Sequence, residues 1–272
     1  MSYFLSEDDF NRYSKLIYDQ SGIFFSDSNR TILESRLKDR LRLADIKTVG
    51  EYYQVISSDN EELKAFLDSV TTNLTRFFRN TAHFQSLEYY VLPHLIEYKR
   101  EKKDPNLRIW SAGCSTGEEP YSIAMMAKNI LPPGLNPQII ASDLSLRALM
   151  KAKEGFYPES RLKGVPESYL NKFFVRKGDG YFVTDEIKEL VKFDYHNLRF
   201  PSGQQNLDLV FCRNVIIYFD EAAQRAVIEK FWDAMNNHSF LFIGHSESLF
   251  GMDTQFEFLK TDWACIYRKF RD

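Results

Sequence analysis

Apolar residues recur at helical spacing through the first 72 residues: Phe10, Tyr13 and Ile17, then Ile32, Leu33, Leu37 and Leu41, then Leu63, Phe66, Leu67 and Val70. Proline is absent from this stretch and glycine is confined to Gly22 and Gly50, so little interrupts a run of helices. The pattern predicts a small helical bundle, with Ser28 or Asn29 able to cap the second helix and Ser58 or Asp59 a later one. From about residue 107 the period changes. Short β-rich runs at 107–111, 138–142, 207–212 and 240–244 alternate with helical runs through Tyr121 to Leu131, Leu144 to Lys153 and Glu221 to Met235, and a last strand covers 264–268. Strands that alternate with crossover helices form a parallel sheet covered on both faces. Residues 156–192 break that rhythm. Phe173 to Val183 contains a Gly178-Asp179-Gly180 turn and reads as an inserted β-hairpin. The expected organisation is an all-α domain over residues 1–75 and an α/β domain over 76–272, the latter carrying an insertion at about 156–192.

Composition narrows the class of protein without naming it. The chain has 272 residues, 44% of them hydrophobic and 27% charged, the balance of a soluble globular protein with room for two cores. Its 23 Phe and 15 Tyr promise aromatic cores with rings to spare for a ligand. A net charge of -3 argues against bulk nucleic-acid binding. Cys114, Cys212 and Cys265 stand far apart, which suits a reducing compartment better than a disulfide framework. The start Met1-Ser-Tyr-Phe-Leu-Ser lacks the basic and apolar regions of a signal peptide, and no run approaches the roughly 18 apolar residues of a membrane span. A soluble cytoplasmic protein is expected, with no membrane insertion and nothing that calls for more than a monomer.

The chemistry concentrates in the turn after the first strand, where a doubly wound sheet places its ligands. It reads Gly113-Cys-Ser-Thr-Gly-Glu118-Glu119-Pro. Glycines admit a close backbone approach and the following helix offers free amides, a combination that also binds dinucleotides and phosphates. Two carboxylates in the first helical turn would repel a pyrophosphate and attract a ligand bearing an ammonium and a sulfonium. The alternative is that Glu118 or Glu119 only complements the helix dipole. Asp143, at the end of the next strand, suits ribose hydroxyls, or caps the helix that follows. On the second helix, Lys38 and Arg42 fall on the polar side, whereas Arg36 and Arg40 fall inside the apolar arc. Either their stems pass the core edge and pair with a carboxylate, or that face lines a cleft for an acidic partner. His83, His94, His196, His238 and His245 have no metal-ligand spacing, and no metal site is expected.

Six blocks then make a family resemblance specific: T-N-L-T-R-F-F-R-N at 72–80, W-S-A-G-C-S-T-G-E-E-P-Y-S-I-A at 110–124, A-S-D-L-S at 141–145, H-N-L at 196–198, F-C-R-N-V-I-I-Y-F-D at 211–220 and G-H-S-E-S-L at 244–249. In order and spacing the chain resembles the CheR-type chemotaxis receptor methyltransferases over essentially its whole length. The resemblance implies a Rossmann-like S-adenosylmethionine-dependent methyltransferase domain with a small β-hairpin insertion, preceded by a small all-α domain. It implies transfer of a methyl group from S-adenosyl-L-methionine to glutamate side chains on the cytoplasmic helices of methyl-accepting chemoreceptors, leaving S-adenosyl-L-homocysteine and a methyl ester.

Carried over by motif position, Asn73, Thr75 and Arg79 would meet the methionine end of the cofactor and Glu119 its amino group, with Gly113 and Glu118 in the same turn. Asp143 would hold the ribose, Asn197 and Leu198 would flank the adenine, and Asn214 with Val215 would close the site. Arg79 and Tyr218 are the expected catalytic pair, and Arg36 and Arg40 the expected substrate contacts. A glutamate acceptor is already ionised at neutral pH, so no general base is required. The turn at 176–181 is the shorter family version, so docking of a receptor's C-terminal peptide on the insertion is not expected. Two rivals remain. One is a Rossmann-type methyltransferase with another substrate, although the Asn/Asp-Pro-Pro-aromatic signature of amino-methylating enzymes is absent. The other is a non-catalytic cofactor-binding module, against which the retained Asn73, Arg79, Asp143 and Asn214 argue.

Overall fold

The structure, a computed structural model, describes residues 4–71 and 73–270. Met1 to Tyr3 and Thr72, the first residue of the 72–80 block, lie outside the described residues. Four helices, α1 (Glu7–Ser21), α2 (Arg30–Ala44), α3 (Val49–Ser58) and α4 (Asn60–Val70), surround a core of Tyr13, Ile17, Leu33, Leu37, Tyr52 and Phe66. Tyr13 and Tyr52 both meet the Phe66 ring edge-on, with centroids 5.7 and 5.9 Å away, the geometry favoured by aromatic quadrupoles. Ser6 caps α1 by accepting from the Asp9 amide at 3.1 Å, and Asp59 caps α4 by accepting from Glu61 and Glu62. Asn29 occupies the cap position of α2, yet its side chain accepts instead from the Ser26 amide at 2.8 Å.

The α/β domain opens with α5 (Thr81–Ser86), continues through a short π-helical turn into α6 (Leu92–Lys102), and then alternates: β1 (Asn106–Ala112), α7 (Glu118–Ile130), β2 (Asn136–Asp143) and α8 (Leu146–Glu154). The insertion supplies β3 (Phe156–Pro158), α9 (Glu167–Phe173), β4 (Phe174–Lys177), β5 (Gly180–Val183) and α10 (Asp185–Lys188). The chain ends with β6 (Val191–Tyr195), β7 (Leu207–Cys212), α11 (Glu221–Ala234), β8 (Met235–Ile243), β9 (Glu257–Lys260) and β10 (Cys265–Lys269).

Seven strands form one sheet in the order β6-β2-β1-β7-β8-β10-β9. The first five are mutually parallel, and β10 returns antiparallel to β8 and β9. Alternation along β8 places Phe240 and Phe242 in one buried cluster and Leu241 and Ile243 in the other, so both faces of the sheet are covered. The insertion differs from a two-stranded hairpin: Phe156–Pro158 pairs antiparallel with β5 and makes it the middle of a three-stranded sheet. A run as short as Phe-Tyr-Pro carries too little alternation to announce a strand. Val191 and Lys192, at the end of the 156–192 span, belong to β6 and pair with β2 in the main sheet.

This topology decides where a ligand can sit. The chain leaves β1 for β2 on one side and comes back to β7 on the other, so β1 is the switch point of the sheet. Because β2, β1 and β7 are parallel, Asp143, the Gly113 turn and the Arg213–Tyr218 turn all emerge on one edge. The helical domain docks against that edge. Ile23 forms a β-bridge with Phe219, the Phe24 amide donates to the Tyr218 carbonyl at 2.8 Å, and the Tyr18 hydroxyl donates to Asp220 at 3.0 Å.

Candidate active site

Between the docked helical domain and the sheet edge lies a cavity lined by Asn73, Thr75, Arg79, Gly113, Glu119, Asp143, Asn197, Leu198, Asn214, Val215 and Tyr218. Eleven positions drawn from segments up to 145 residues apart in sequence thus converge on one space. The helical domain contributes Phe24, Phe25 and Ile32 to its apolar wall.

The glycine turn is built by alternating backbone handedness. Gly113, Ser115 and Gly117 have φ of 83°, 49° and 93°. The Gly113 and Cys114 amides both donate to the Ser142 carbonyl, at 2.8 and 2.9 Å, which fixes the turn against the end of β2. A Cβ on Gly113 would lie 2.4 Å from a Val215 methyl, so only glycine lets the β1 and β7 turns approach this closely.

The two glutamates of that turn have separate fates. Glu118 is fully buried and faces the insertion, where it pairs with Arg161 and accepts from the Thr116 hydroxyl at 2.6 Å. It does not reach the cavity, which corrects its assignment as a cofactor contact. Residues one apart on a helix point about 100° from each other, so a single wall can take only one of them. Tyr157, also from the insertion, donates to the Thr116 carbonyl at 2.6 Å. The insertion therefore braces the cofactor turn from behind.

Glu119 projects into the cavity with its side chain 13% exposed. It accepts from the Ser111 hydroxyl at 2.8 Å and pairs with Arg213 at 3.4 Å. Burial pushes its carboxyl above the usual range, and Arg213, Ser111 and Arg79 oppose that shift. Asp143 is pushed up likewise by burial, against the pull of the Ser145 and Ser115 amides, each 2.8 Å from one of its oxygens. It does not cap α8; Ser145 does, accepting from Ala148 at 3.0 Å. Asp143 lines the cavity, and a carboxylate has more acceptor sites than these amides occupy, so it can still accept from a hydroxyl-bearing ligand.

Arg79, in the same cavity, donates once to the Leu74 carbonyl at 2.8 Å, and its remaining guanidinium donors make no hydrogen bond among the described residues. The Tyr218 phenol likewise makes none among them. Asn73 accepts from the Ser115 hydroxyl at 3.1 Å, joining the 73–80 segment to the glycine turn. Asn197 is partly committed to the domain seam, its amide donating to the Gln20 carbonyl at 2.6 Å.

The basic helix behaves differently from expectation. Arg40 lies outside the cavity and forks onto Glu62 while also donating to the Tyr52 hydroxyl at 3.3 Å, which removes it from the substrate contacts. A guanidinium in the apolar arc of a helix finds the nearest carboxylate within its own domain. Arg36 also lies outside the cavity, half-buried, with no hydrogen bond or ion pair among the described residues.

Several contributors were not singled out from the sequence. Arg213 stands in the 211–220 block but only its neighbours were assigned. Glu247 accepts from the Asn214 amide at 2.9 Å and the Ile217 amide at 3.1 Å, holding the turn in which Asn214 adopts a φ of 58°. Glu247 also accepts from the nearby Gly244 amide, but the Asn214 and Ile217 amides that it holds are 33 and 30 residues away, and no local pattern announces them. His83 is buried beside Arg213, and burial drives it down to about 3, so it stays neutral there.

Comparison with known proteins places this constellation. Residues 73–265 match the family model described as "CheR methyltransferase, SAM binding domain" and residues 8–71 the one described as "CheR methyltransferase, all-alpha domain". The chain belongs to the CheR methyltransferase family. It is 38% identical over 256 residues to the chemotaxis protein methyltransferase of Borreliella burgdorferi, covering 91% of this chain and 90% of that one. It is 36% identical to chemotaxis protein methyltransferase 2 of Vibrio cholerae, covering 90% and 87%, and 35% identical to the Escherichia coli chemotaxis protein methyltransferase, covering 93% and 88%. As a CheR protein it is an S-adenosylmethionine-dependent methyltransferase of chemotaxis. The lining is compatible with that cofactor: the carboxylates of Glu119 and Asp143 suit a ligand that carries an ammonium and hydroxyl groups, and Gly113 lets the β1 and β7 turns meet beside them. Among the described residues, no helix is long and apolar enough to cross a membrane.

Glu119 leads to a pH prediction. An ammonium binds the ionised carboxylate, so affinity is full above the pKa of the free site and falls as pH drops through it. Because that pKa is raised, the fall begins above the ordinary carboxylate range and approaches about tenfold per pH unit. Calorimetric titration with S-adenosylhomocysteine is expected to show this limb in the native enzyme and to lose part of it in Glu119→Gln. The part that persists belongs to Asp143; coincident profiles for the two proteins would remove Glu119 from the role.

Proposed function

We propose that this enzyme methylates ionised glutamate side chains on cytoplasmic helical segments of chemoreceptors, forming methyl esters. The observation that supports this reading is that one cavity is lined both by Arg79, whose guanidinium keeps uncommitted donors, and by Tyr218, whose phenol makes no hydrogen bond among the described residues. Bound S-adenosylmethionine supplies an activated methyl group on its sulfonium. Glu119 holds and neutralises the amino group, and Asp143 orients the ribose end. Arg79 engages one oxygen of the incoming carboxylate, and its planar fork leaves the other oxygen aimed into the cavity. Tyr218 offers a second donor to the same group. Phe24, Phe25 and Ile32 exclude water from the opposite charges that must meet. An acceptor that is ionised from the start surrenders its charge as the ester forms, so these groups act by placement more than by charge stabilisation.

Incubation with methyl-labelled cofactor and receptor-containing membranes is expected to yield protein-bound label that mild base releases as methanol. Base-stable label would place the methyl on nitrogen or carbon and end the ester assignment. For the approach of the receptor helix, the half-buried Arg36 on α2 is the remaining basic candidate. Arg36→Glu is expected to raise the receptor KM while leaving S-adenosylhomocysteine affinity within about twofold, since it lies outside the cavity. Arg40→Glu, by contrast, sets two carboxylates against each other at Glu62 and is expected to lower the melting temperature. Equal losses of both affinities in Arg36→Glu would count against a substrate-facing α2.

A further inference from the structure

We infer that Arg213 is a positioning residue for methyl transfer: its guanidinium ties the Glu119 carboxylate to the backbone of Arg79, so that the cofactor-holding and acceptor-holding walls keep one relative placement. Arg213 follows β7 directly and its side chain is 2% exposed. One terminal nitrogen lies 3.4 Å from Glu119, and the other donates to the Arg79 carbonyl. The guanidinium rests over the Phe84 ring, 5.7 Å from its centroid, while its Nε is buried without a partner. A buried donor left unpaired has a cost, so the two terminal contacts are what hold this side chain in place.

The segment it grips requires holding. Phe78 and Asn80, on either side of Arg79, have φ of 49° and 63°, left-handed values that a side-chain-bearing residue keeps only when its surroundings enforce them. The Phe78 amide is anchored to the Ser122 hydroxyl at 3.0 Å, which fixes one side of Arg79 to α7. Arg213 fixes the other. Glu119 lies on the same helix as Ser122, one turn earlier. Arg79 is thus clamped between an anchor on α7 and a guanidinium already paired to α7's first turn.

A counter-ion alone would need only a positive charge, and lysine would serve. A bridge needs the fork, because two acceptors on different segments must be met at once. The inference rests on the cofactor assignment and on the catalytic role of Arg79; the binding arm below needs no acceptor, so a wrong acceptor would appear as a native enzyme that binds product but esterifies nothing.

The test uses the full chain, S-adenosylhomocysteine calorimetry and turnover on receptor membranes, with Arg213→Met and Arg213→Lys made alone and in Glu119→Gln. At pH values on the acid limb, Arg213→Met is expected to weaken product binding about tenfold or more, because without the guanidinium less of Glu119 is ionised. Its acid limb should move to higher pH. In Glu119→Gln the same substitution is expected to change affinity by no more than about twofold, the scatter of independent effects. Arg213→Lys should recover affinity and the acid limb while turnover stays about 100-fold down, as a misplaced Arg79 would leave it. Recovery of turnover together with affinity in Arg213→Lys would overturn the bridge, as would an Arg213→Met protein with native affinity and an unmoved limb. If Arg213→Met does not fold, the lysine variant decides alone by the same two readouts.

Discussion

Arg79→Ala is expected to lower turnover by about 100-fold or more while the protein melts at its native temperature. The size follows from placement: once the acceptor carboxylate is free to rotate, the reacting oxygen is no longer held toward the methyl group, and loss of alignment on the scale of an ångström is worth about that factor. The unchanged melting temperature follows from the surroundings. Arg79 is only half-buried, and its side chain makes one hydrogen bond, to the Leu74 carbonyl. Arg79→Lys should recover little, because an ammonium is a point donor without the planar fork. Product affinity is expected to change less than turnover, since Glu119 and Asp143 remain in place. Steady-state kinetics with product calorimetry checks this; native turnover in the alanine variant would remove Arg79 from the chemistry.

Gly113→Ala is expected to damage stability and cofactor binding together. The new methyl would lie 2.4 Å from Val215 Cγ2 at a backbone φ of 83°. The turn cannot swing away, because the Gly113 and Cys114 amides are both committed to the Ser142 carbonyl. The left-handed conformation costs about 1–2 kcal/mol for a residue with a side chain, and forced overpacking about 1–3 kcal/mol more. For a chain of this size the sum corresponds to a fall of roughly 5–15 °C in melting temperature. Val215 must retreat, and with it the β7 turn that walls the cavity. Gly113→Ala with Val215→Ala removes the clash and keeps the backbone penalty, so the pair should regain product affinity but only part of the stability. A double variant that binds no better than Gly113→Ala would show that backbone strain, and not the methyl clash, is responsible.

The fold was legible in the sequence because its signals are local and periodic. Helical spacing marked α1, α2 and α4 but not the ten-residue α3, β-rich runs marked β1, β2, β7, β8 and β10, and their alternation required a parallel sheet. The strands that escaped notice lacked such signals. Val191–Tyr195 pairs with its neighbour only in the assembled sheet, while Phe156–Pro158 and Glu257–Lys260 are three and four residues long. Strand-end position pointed to the Gly113 turn and Asp143, and the resemblance carried by the six motif blocks supplied the other polar residues assigned to the cavity, whereas Phe24, Phe25 and Ile32 of its apolar wall were not named by either.

What only the tertiary structure decided is which charged side chain faces which partner. Glu118 and Glu119 are adjacent and identical in type, yet Arg161 of the insertion claims one and the cavity takes the other. Arg40 and Arg36 share a helix arc, yet Glu62 claims only the first. Arg213 and Glu247 acquire their roles from groups about 30 to 130 residues distant. Ion pairs and side-chain-to-backbone bonds impose no period on a sequence, because each is satisfied by whatever the fold brings within about 3 Å. The sequence therefore determined the scaffold and much of the polar lining of the cofactor cavity, and the folded chain determined which of its charges remain free to act.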